Sequence, residues 1–303
     1  MWRFIQLTDT HLASEQNGIW NNRFLCSMMP DIMACLKRDL KTLNPDFLLV
    51  TGDIVSHNTR EAVFHARNML DTLGRPYYPA GGNHDFFSPE SRGWFLEAYA
   101  HRLPTSNTVY SFLHKNLRFC VLDPWWLWRD GSMMPFKEIQ DEGQEDEQEA
   151  PPRWALPPEQ FVWLESVLSA FPKEPVCVVT HYPVFSLEER FSQPDYKFAG
   201  ALENGDMLVS LLKRHHQVKI VFSGHAHTNA IMEYGEVMYV CTAALPEYPS
   251  EFRVVSVYDD HISIKTQGLS NQDFAKQSLI PGHEYTAGTA EDRSATIYFD
   301  KKV

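Results

Sequence analysis

Short apolar runs that end in small polar clusters recur along this chain. Phe4 to Leu7 ends in Thr8-Asp9-Thr10-His11, and Asp46 to Val50 ends in Thr51-Gly52-Asp53. Pro76 to Ala80 leads into Gly81-Gly82-Asn83-His84-Asp85, and Val176 to Val179 into Thr180-His181-Tyr182-Pro183. Val218 to Phe222 delivers Ser223-Gly224-His225-Ala226-His227. Continuous apolar runs of this length, bounded by turn residues, predict strands covered on both faces. Between them the period lengthens. Met29, Ile32, Met33, Leu36, Leu40 and Leu43 recur at helical spacing, so a helix is expected over Leu25 to Leu43, ended by Pro45. Arg60 to Leu73 predicts a second helix, with Ala62, Ala66, Met69 and Leu73 on one stripe and Gly74 past its end. Further helical stretches are expected over Pro89 to Ala100, around Phe161, Leu164, Val167 and Leu168, and over residues 206–214.

From Thr108 the rhythm changes. Val109 to Leu113 and Leu117 to Leu122 predict a hairpin closed by His114-Lys115-Asn116. An insertion follows at about 124–158. It opens with Pro124-Trp125-Trp126-Leu127-Trp128, contains the acidic stretch Asp141 to Glu149, and closes with Pro151-Pro152 and Pro157-Pro158. It reads as an excursion rather than core. Its tryptophans could stack on a substrate base, but an apolar anchor to the body, or a homodimer contact, is the preferred reading. The acidic stretch reads as a solvated surface. Val237 to Thr242, Phe252 to Tyr258 and His261 to Thr266 predict three antiparallel strands. Residues 12–23 read as loop, and 270–303 are polar and weakly patterned apart from Thr296-Ile297-Tyr298-Phe299. The expected organisation is a catalytic domain over 1–269 that carries the insertion, and a C-terminal tail over 270–303.

Composition narrows the function. With 303 residues and 44% apolar content the chain can bury a large core. Its formal charge of −12 disfavours nucleic acid as a partner. Five cysteines without C-x-x-C spacing, three of them inside strand-like runs, predict buried thiols rather than disulfides or a structural zinc. No apolar run approaches a bilayer span. Met1 to Leu7 is already strand-like, with no room for a signal peptide ahead of it, so a cytoplasmic protein without membrane partners is expected.

The chemistry sits at the strand ends: Asp9, His11, Asp53, Asn83, His84, Asp85, His181, His225 and His227. In an extended segment residues i and i+2 share a side, so Asp9 with His11, and His225 with His227, can each aim at one point. Carboxylates, imidazoles and one amide, with no thiolate, suit ions such as Mn, Fe or Zn. There are too many ligands for one ion. Two divalent or trivalent ions about 3.5–4 Å apart would use them all, and a water bridging them becomes hydroxide near neutral pH.

At these positions the chain resembles the calcineurin-like metallophosphoesterases: D-x-H at 9–11, G-D at 52–53, G-N-H-D at 82–85, a lone His181, and G-H-x-H at 224–227. The resemblance implies an α/β fold, the four-layer α/β/β/α sandwich. It places Asp9, His11 and His227 on a first metal, Asn83, His181 and His225 on a second, and Asp53 between them. It implies that Asn83 and His84 contact the substrate phosphate, that His84 protonates the leaving oxygen, and that Asp85 orients its imidazole. D-x-H with G-N-H-D is closest to class III cyclic-nucleotide phosphodiesterase-like members. His181-Tyr182-Pro183-Val184 is similar to the purple acid phosphatases, but Ser56 stands where they carry a tyrosine and Asp85 where they carry Glu. The same Asp85 departs from the G-N-H-E of protein serine/threonine phosphatases.

The expected activity is therefore hydrolysis of a small phosphodiester, with a cyclic nucleotide as the first substrate class. The rival is a phosphomonoesterase acting on nucleotides or phosphoproteins. Charge counts against a nuclease, and the complete ligand set against a non-catalytic scaffold. Arg23, Arg92 and Lys197 are candidate phosphate cations. The remaining histidines, His57 included, read as solvated or capping side chains.

Overall fold

The computed structural model describes residues 1–128, 130–137, 153–191, 193–198 and 200–299. The acidic stretch Asp141 to Glu149 and the Pro151-Pro152 pair lie outside the described residues.

Strict alternation along the apolar strands sorts their side chains into two cores. In Phe47–Thr51, Phe47 and Leu49 point to one core while Leu48 and Val50 point to another. In Val176–Val179, Cys177 and Val179 join the same central core as Phe47, and Val176 and Val178 face a third. Two sheets therefore lie face to face, each carrying helices on its outer side. The first orders Ser294–Tyr298, His261–Gly268, Glu251–Val257, Trp2–Leu7, Phe47–Thr51 and Tyr77–Ala80. The second orders Ala230–Tyr234, Val237–Cys241, Val218–Ser223, Val176–Val179, Leu117–Val121 and Tyr110–His114. Helices α1 (Met29–Leu43), α2 (Arg60–Asp71) and α3 (Ser91–Tyr99) cover the first sheet, and α4 (Pro158–Ala170) and α5 (Gly205–Leu212) the second. This is the expected α/β/β/α sandwich. Among the described residues no helix is long and apolar enough to cross a membrane.

Local signals account for the helix ends. Asn44, left-handed at φ 47°, caps α1 and donates its N–H to Leu40 O at 2.9 Å, and Pro45 then prevents continuation. Thr59 Oγ1 accepts from Ala62 N at 3.1 Å to start α2. Its core stripe is Val63, Ala66 and Leu70, one position round from the expected face; Ala62 and Met69 are only partly buried.

Three expectations are corrected, and one strand is new. Val237–Cys241 is not part of an antiparallel trio: it runs parallel to Val218–Ser223 in the second sheet, whereas Glu251–Val257 and His261–Gly268 belong to the first. An unanticipated strand, Ala230–Tyr234, pairs with it. The loop after His11 contains a small ribbon, Gly18–Ile19 with Arg23–Phe24. The insertion is no bare excursion either. Trp125–Leu127, Met133–Met134 and Arg153–Ala155 form a three-stranded sheet, and Trp126 and Trp154 are buried beneath it. After α6 (Asp273–Ser278) the chain returns to the first sheet, where Ser294–Tyr298 pairs with His261–Gly268. All five cysteines are buried and free.

Phe4 stands at the centre of the inter-sheet core. It is fully buried, stacked on Phe47 at 5.2 Å and edge-on to Phe119 and Phe222. Phe4→Ala is expected to cost about 3–5 kcal/mol of stability, read by urea unfolding. A loss below about 1 kcal/mol would show that the sheets can close over the vacancy.

Candidate metal centre

The parallel strands of both sheets end on one side of the sandwich, and their polar clusters meet there. Asp9 and His11 follow Trp2–Leu7, Asp53 follows Phe47–Thr51, and Asn83 to Asp85 follow Tyr77–Ala80. From the second sheet, His181 follows Val176–Val179, and His225 and His227 follow Val218–Ser223. Asp9, His11 and His227 bring ligand atoms within 4.8 Å of one another, as do Asp53, His181 and His225. All six side chains are buried. The triads abut: Asp9 Oδ1 lies 3.2 Å from His227 Nε2 and 3.9 Å from His181 Nε2, which is also 3.3 Å from Asp53 Oδ2. Asn83 Oδ1 completes the second group, 3.2 Å from His181 Nε2.

Reaching this geometry requires unusual backbone. Asp9, His11, Asp53, His225 and His227 all have φ between 44° and 65°, a region that side-chain-bearing residues seldom adopt. Each costs on the order of 1–3 kcal/mol, and strain of this kind concentrates where a site overrides local preference. Backbone bonds hold the turns, with Asp9 N–H on Gly52 O and His11 N–H on Asp53 O, both at 3.0 Å, and Gly224 N–H on His181 O at 2.9 Å. A Cβ at Gly224 would collide with Thr8 Oγ1 and the Asp9 carboxylate, so that position admits only glycine.

Two of the imidazoles are aimed through their second nitrogen. His181 Nδ1 donates to Thr51 O at 2.9 Å, turning Nε2 toward Asp53 and Asn83. His227 Nδ1 donates to Glu247 Oε2 at 2.7 Å, which presents Nε2 to Asp9. His11 Nε2 is buried and has no hydrogen-bond partner. An orphaned nitrogen among carboxylates, where water is excluded, fits a metal ligand. The oxygen and nitrogen donor set fits the same group of ions.

Electrostatics agree. Burial, together with the neighbouring His84, holds His11 down to about 3, so its ring is neutral and ready to coordinate. Burial opposes charge on His227 and His181 as well. The Asp9 and Glu247 carboxylates nevertheless raise His227 to about 10, and Asp53 and Asp9 raise His181 to about 9. Burial would lift Asp53, but His181, His84 and His11 drive it well below the usual carboxylate range. It therefore feels both triads.

His84 lies beside His11 at 4.9 Å between ring centroids, and its Nδ1 donates to Ser56 O at 2.9 Å. The expected contact with Asp85 is replaced. The Asp85 carboxylate accepts from Gly82 N at 2.8 Å, Ile54 N at 3.1 Å and Val55 N at 3.3 Å. It thus fastens the Asp53 loop to the Asn83–His84 loop and leaves the imidazole to a backbone carbonyl. Burial, then the Asp53 charge, push its carboxyl up to about 7.

Two candidate cations are committed elsewhere. Arg92 forms a two-bond pair with Asp123 at 2.6 and 2.9 Å and stacks on Phe86, while Arg23 donates to Leu279 O at 2.6 Å. Lys197 stays exposed beside Trp20. His57 is exposed, and His101, His114, His215, His216 and His261 pair with nearby carboxylates. Sequence reasoning missed Glu247, which no motif marks. It also missed Trp154, which links Trp126 at 3.5 Å to Tyr182 at 4.7 Å, whose ring lies 4.1 Å from that of His225.

Two acid–imidazole triads side by side, at the carboxyl ends of two facing sheets, define a metal-dependent hydrolase. The chain belongs to the calcineurin-like phosphoesterase family, whose profile matches residues 3–229. It is 24% identical over 273 residues to a 3',5'-cyclic-nucleotide phosphodiesterase of Nostoc sp., covering 84% of this chain and 87% of that one. It is 26% identical over 230 residues to the glycerophosphodiester phosphodiesterase GpdQ of Enterobacter lignolyticus, covering 75% and 72%. Among solved structures it is similar in fold to a dimetal phosphatase from Danio rerio, with TM-score 0.69, 18% identity and 99% of both chains covered. The protein is thus a metal-dependent phosphoesterase of a family that uses a binuclear centre.

Because His181 and His227 are protonated near neutral pH in the metal-free protein, metal must displace their protons. Uptake is expected to release about two protons at pH 7, and affinity to rise with pH until it passes the values of about 9 and 10. Calorimetry in buffers of different ionisation enthalpy measures this. Uptake without proton release would mean that these rings are already neutral.

Proposed function

We propose that this chain is a phosphodiesterase acting on a small phosphodiester, with cyclic nucleotides as the first class to test. The carrying observation is the character of the mouth. Among the described residues no lysine or arginine forms a hydrogen bond or ion pair with Asp9, Asp53, Asn83, His84, His181 or His227. Half-buried aromatic rings border the site instead. Phe24 lies 5.0 Å from His11 and 5.2 Å from His227, and Phe87 lies 5.3 Å from His84. A phosphomonoester brings a second negative charge that calls for a further cation. A diester brings one charge and a second organic group that suits an apolar wall. The phosphodiesterase names of the Nostoc and Enterobacter relatives support the same reading.

In this reading Asp9, His11 and His227 hold one ion, and Asn83, His181 and His225 the other. Asp53, which feels imidazoles of both groups, is shared. Bound ions would supply charge against the phosphoryl oxygens and an activated water. The chain's own contribution is orientation and proton delivery. Asn83 and His84, the partly exposed members of the site, meet the substrate phosphate. With Nδ1–H held by Ser56 O, the Nε2 edge of His84 is left to face the leaving oxygen, and the doubly protonated ring can hand it the Nε2 proton and return to the neutral Nδ1–H form. Asp85 supports that step only through the loops it fastens.

His84→Ala is expected to keep its metal and lose ~10²–10⁴-fold in turnover on an alkyl diester, with a much smaller loss on bis(p-nitrophenyl) phosphate, whose leaving group needs no acid. Equal losses on both would assign His84 to binding. Wild-type protein supplied with Mn²⁺ should prefer the diester to p-nitrophenyl phosphate, and the reverse preference would establish the monoesterase rival. Asp53→Ala should lose both ions by elemental analysis; retention of two equivalents would remove Asp53 from the shared position.

A further inference from the structure

We propose that Glu247 is a positioning residue for the first triad, and that the C-terminal segment 278–286 holds it in place through Asn22. The inference rests on the two-metal reading above.

Glu247 lies in the turn from Ala244 to Ser250, outside every motif, and is fully buried. Its two oxygens have separate tasks. Oε2 accepts from His227 Nδ1 at 2.7 Å, and Oε1 accepts from the backbone N–H of Asn22. A buried carboxylate carries a desolvation cost of several kcal/mol unless donors compensate it. Packing alone would be served as well by an apolar side chain. A glutamine has one acceptor oxygen and one NH₂ group, so it can satisfy only one of these two donors and sets a donor against the other. Glutamate accepts from both. It thereby fixes the His227 proton on Nδ1 and leaves Nε2 directed at Asp9, 3.2 Å away.

The far end of this arrangement is set by the tail. Asn22 is fully buried, and its side chain spans to the C-terminal segment: Oδ1 accepts from Ile280 N at 2.8 Å, and Nδ2 donates to Thr286 Oγ1 at 3.1 Å. The same segment bonds the Glu247 turn directly. Ser278 Oγ accepts from Tyr248 N and donates to Arg23 O, both at 2.6 Å, and Thr286 Oγ1 donates to Tyr248 O at 3.2 Å. Residues 278–286 therefore grip both partners of the Glu247–Asn22 bond, and with them the ribbon that carries Phe24 at the mouth. The tail determines where the second nitrogen of a metal ligand points, more than 50 residues earlier in the chain.

The test is Mn²⁺ titration of metal-free protein, read by calorimetry and by the EPR signal that distinguishes a coupled pair from a single ion. Wild type should take up two ions. Glu247→Gln should bind one at wild-type affinity and the other roughly 10–100-fold more weakly. The weakened site should be the one lost in His11→Ala. Asn22→Ala, which keeps the backbone N–H but frees the tail, should weaken the same site by less. The double variant should be no worse than Glu247→Gln alone, because the two act in series. Unchanged affinity at both sites, or equal weakening of both, would overturn the proposal. Should Glu247→Gln fail to fold by circular dichroism, Asn22→Ala carries the same comparison. A wild type that binds fewer than two ions would overturn the two-metal reading itself, and this inference with it.

Discussion

Two carboxylates, Asp9 and Asp53, are sealed from solvent within 4 Å of imidazoles, and the rest of the molecule is arranged to keep them there. Isolated buried charges are among the costliest features a protein can hold. Here they persist because donors surround them. His225 N–H and Thr8 Oγ1 bond Asp9, His84 N–H bonds Asp53, and imidazoles face both. The left-handed backbone at Asp9, His11, Asp53, His225 and His227 is the consequence. Only such turns bring strand ends from two separate sheets into one shell.

Beneath the shell lies a second polar layer that ties the sheets together. Gln6 Nε2 donates to Thr51 Oγ1 at 2.8 Å, and Thr242 Oγ1 donates to Gln6 Oε1 at 2.6 Å. Arg253, itself fully buried, bonds Thr242 at 3.1 Å, Cys241 O at 2.7 Å and Asp292 O at 2.7 Å. Thr51 also carries the carbonyl that orients His181. A fully satisfied network of this kind makes the position of the second sheet relative to the first specific, where apolar packing alone would tolerate sliding. The tail adds a third connection, through Asn22 and Glu247. Site and fold thus share the same bonds: what aligns the sheets also aligns the two triads.

Among these residues only those at the mouth of the site reach solvent. Asn83, His84, Phe24 and Phe87 are partly exposed, while the six residues of the triads are buried. On the proposed function, recognition would depend on loops that differ in origin. One is the Gly-Gly-Asn-His-Asp turn at the end of a strand, and the other is the short ribbon before α1. Such loops are free to vary around a rigid scaffold, which is why relatives on the same fold need not share substrates.

The sandwich and the polar clusters that converge at its strand ends were legible in the chain because each depends on local sequence. Alternation and apolar runs mark strands, and the acidic and imidazole side chains follow within a few positions of the strand ends, at spacings that backbone geometry alone converts into a shared direction. What was not legible depends on partners far apart in sequence. Val237–Cys241 reads as a strand, but nothing local says which neighbour it takes, so its place in the second sheet emerged only from tertiary packing. Asp85 sits next to His84 in sequence, yet backbone N–H groups at Ile54 and Val55 reach its carboxylate first. Glu247 and Asn22 are separated by 225 positions and belong to no periodic pattern. Sequence by itself determined which chemistry this chain carries and on what kind of scaffold, since those are properties of short segments. Tertiary structure decided which nitrogen His181, His227 and His84 offer and what holds each ring there, since a hydrogen bond is chosen by proximity in space.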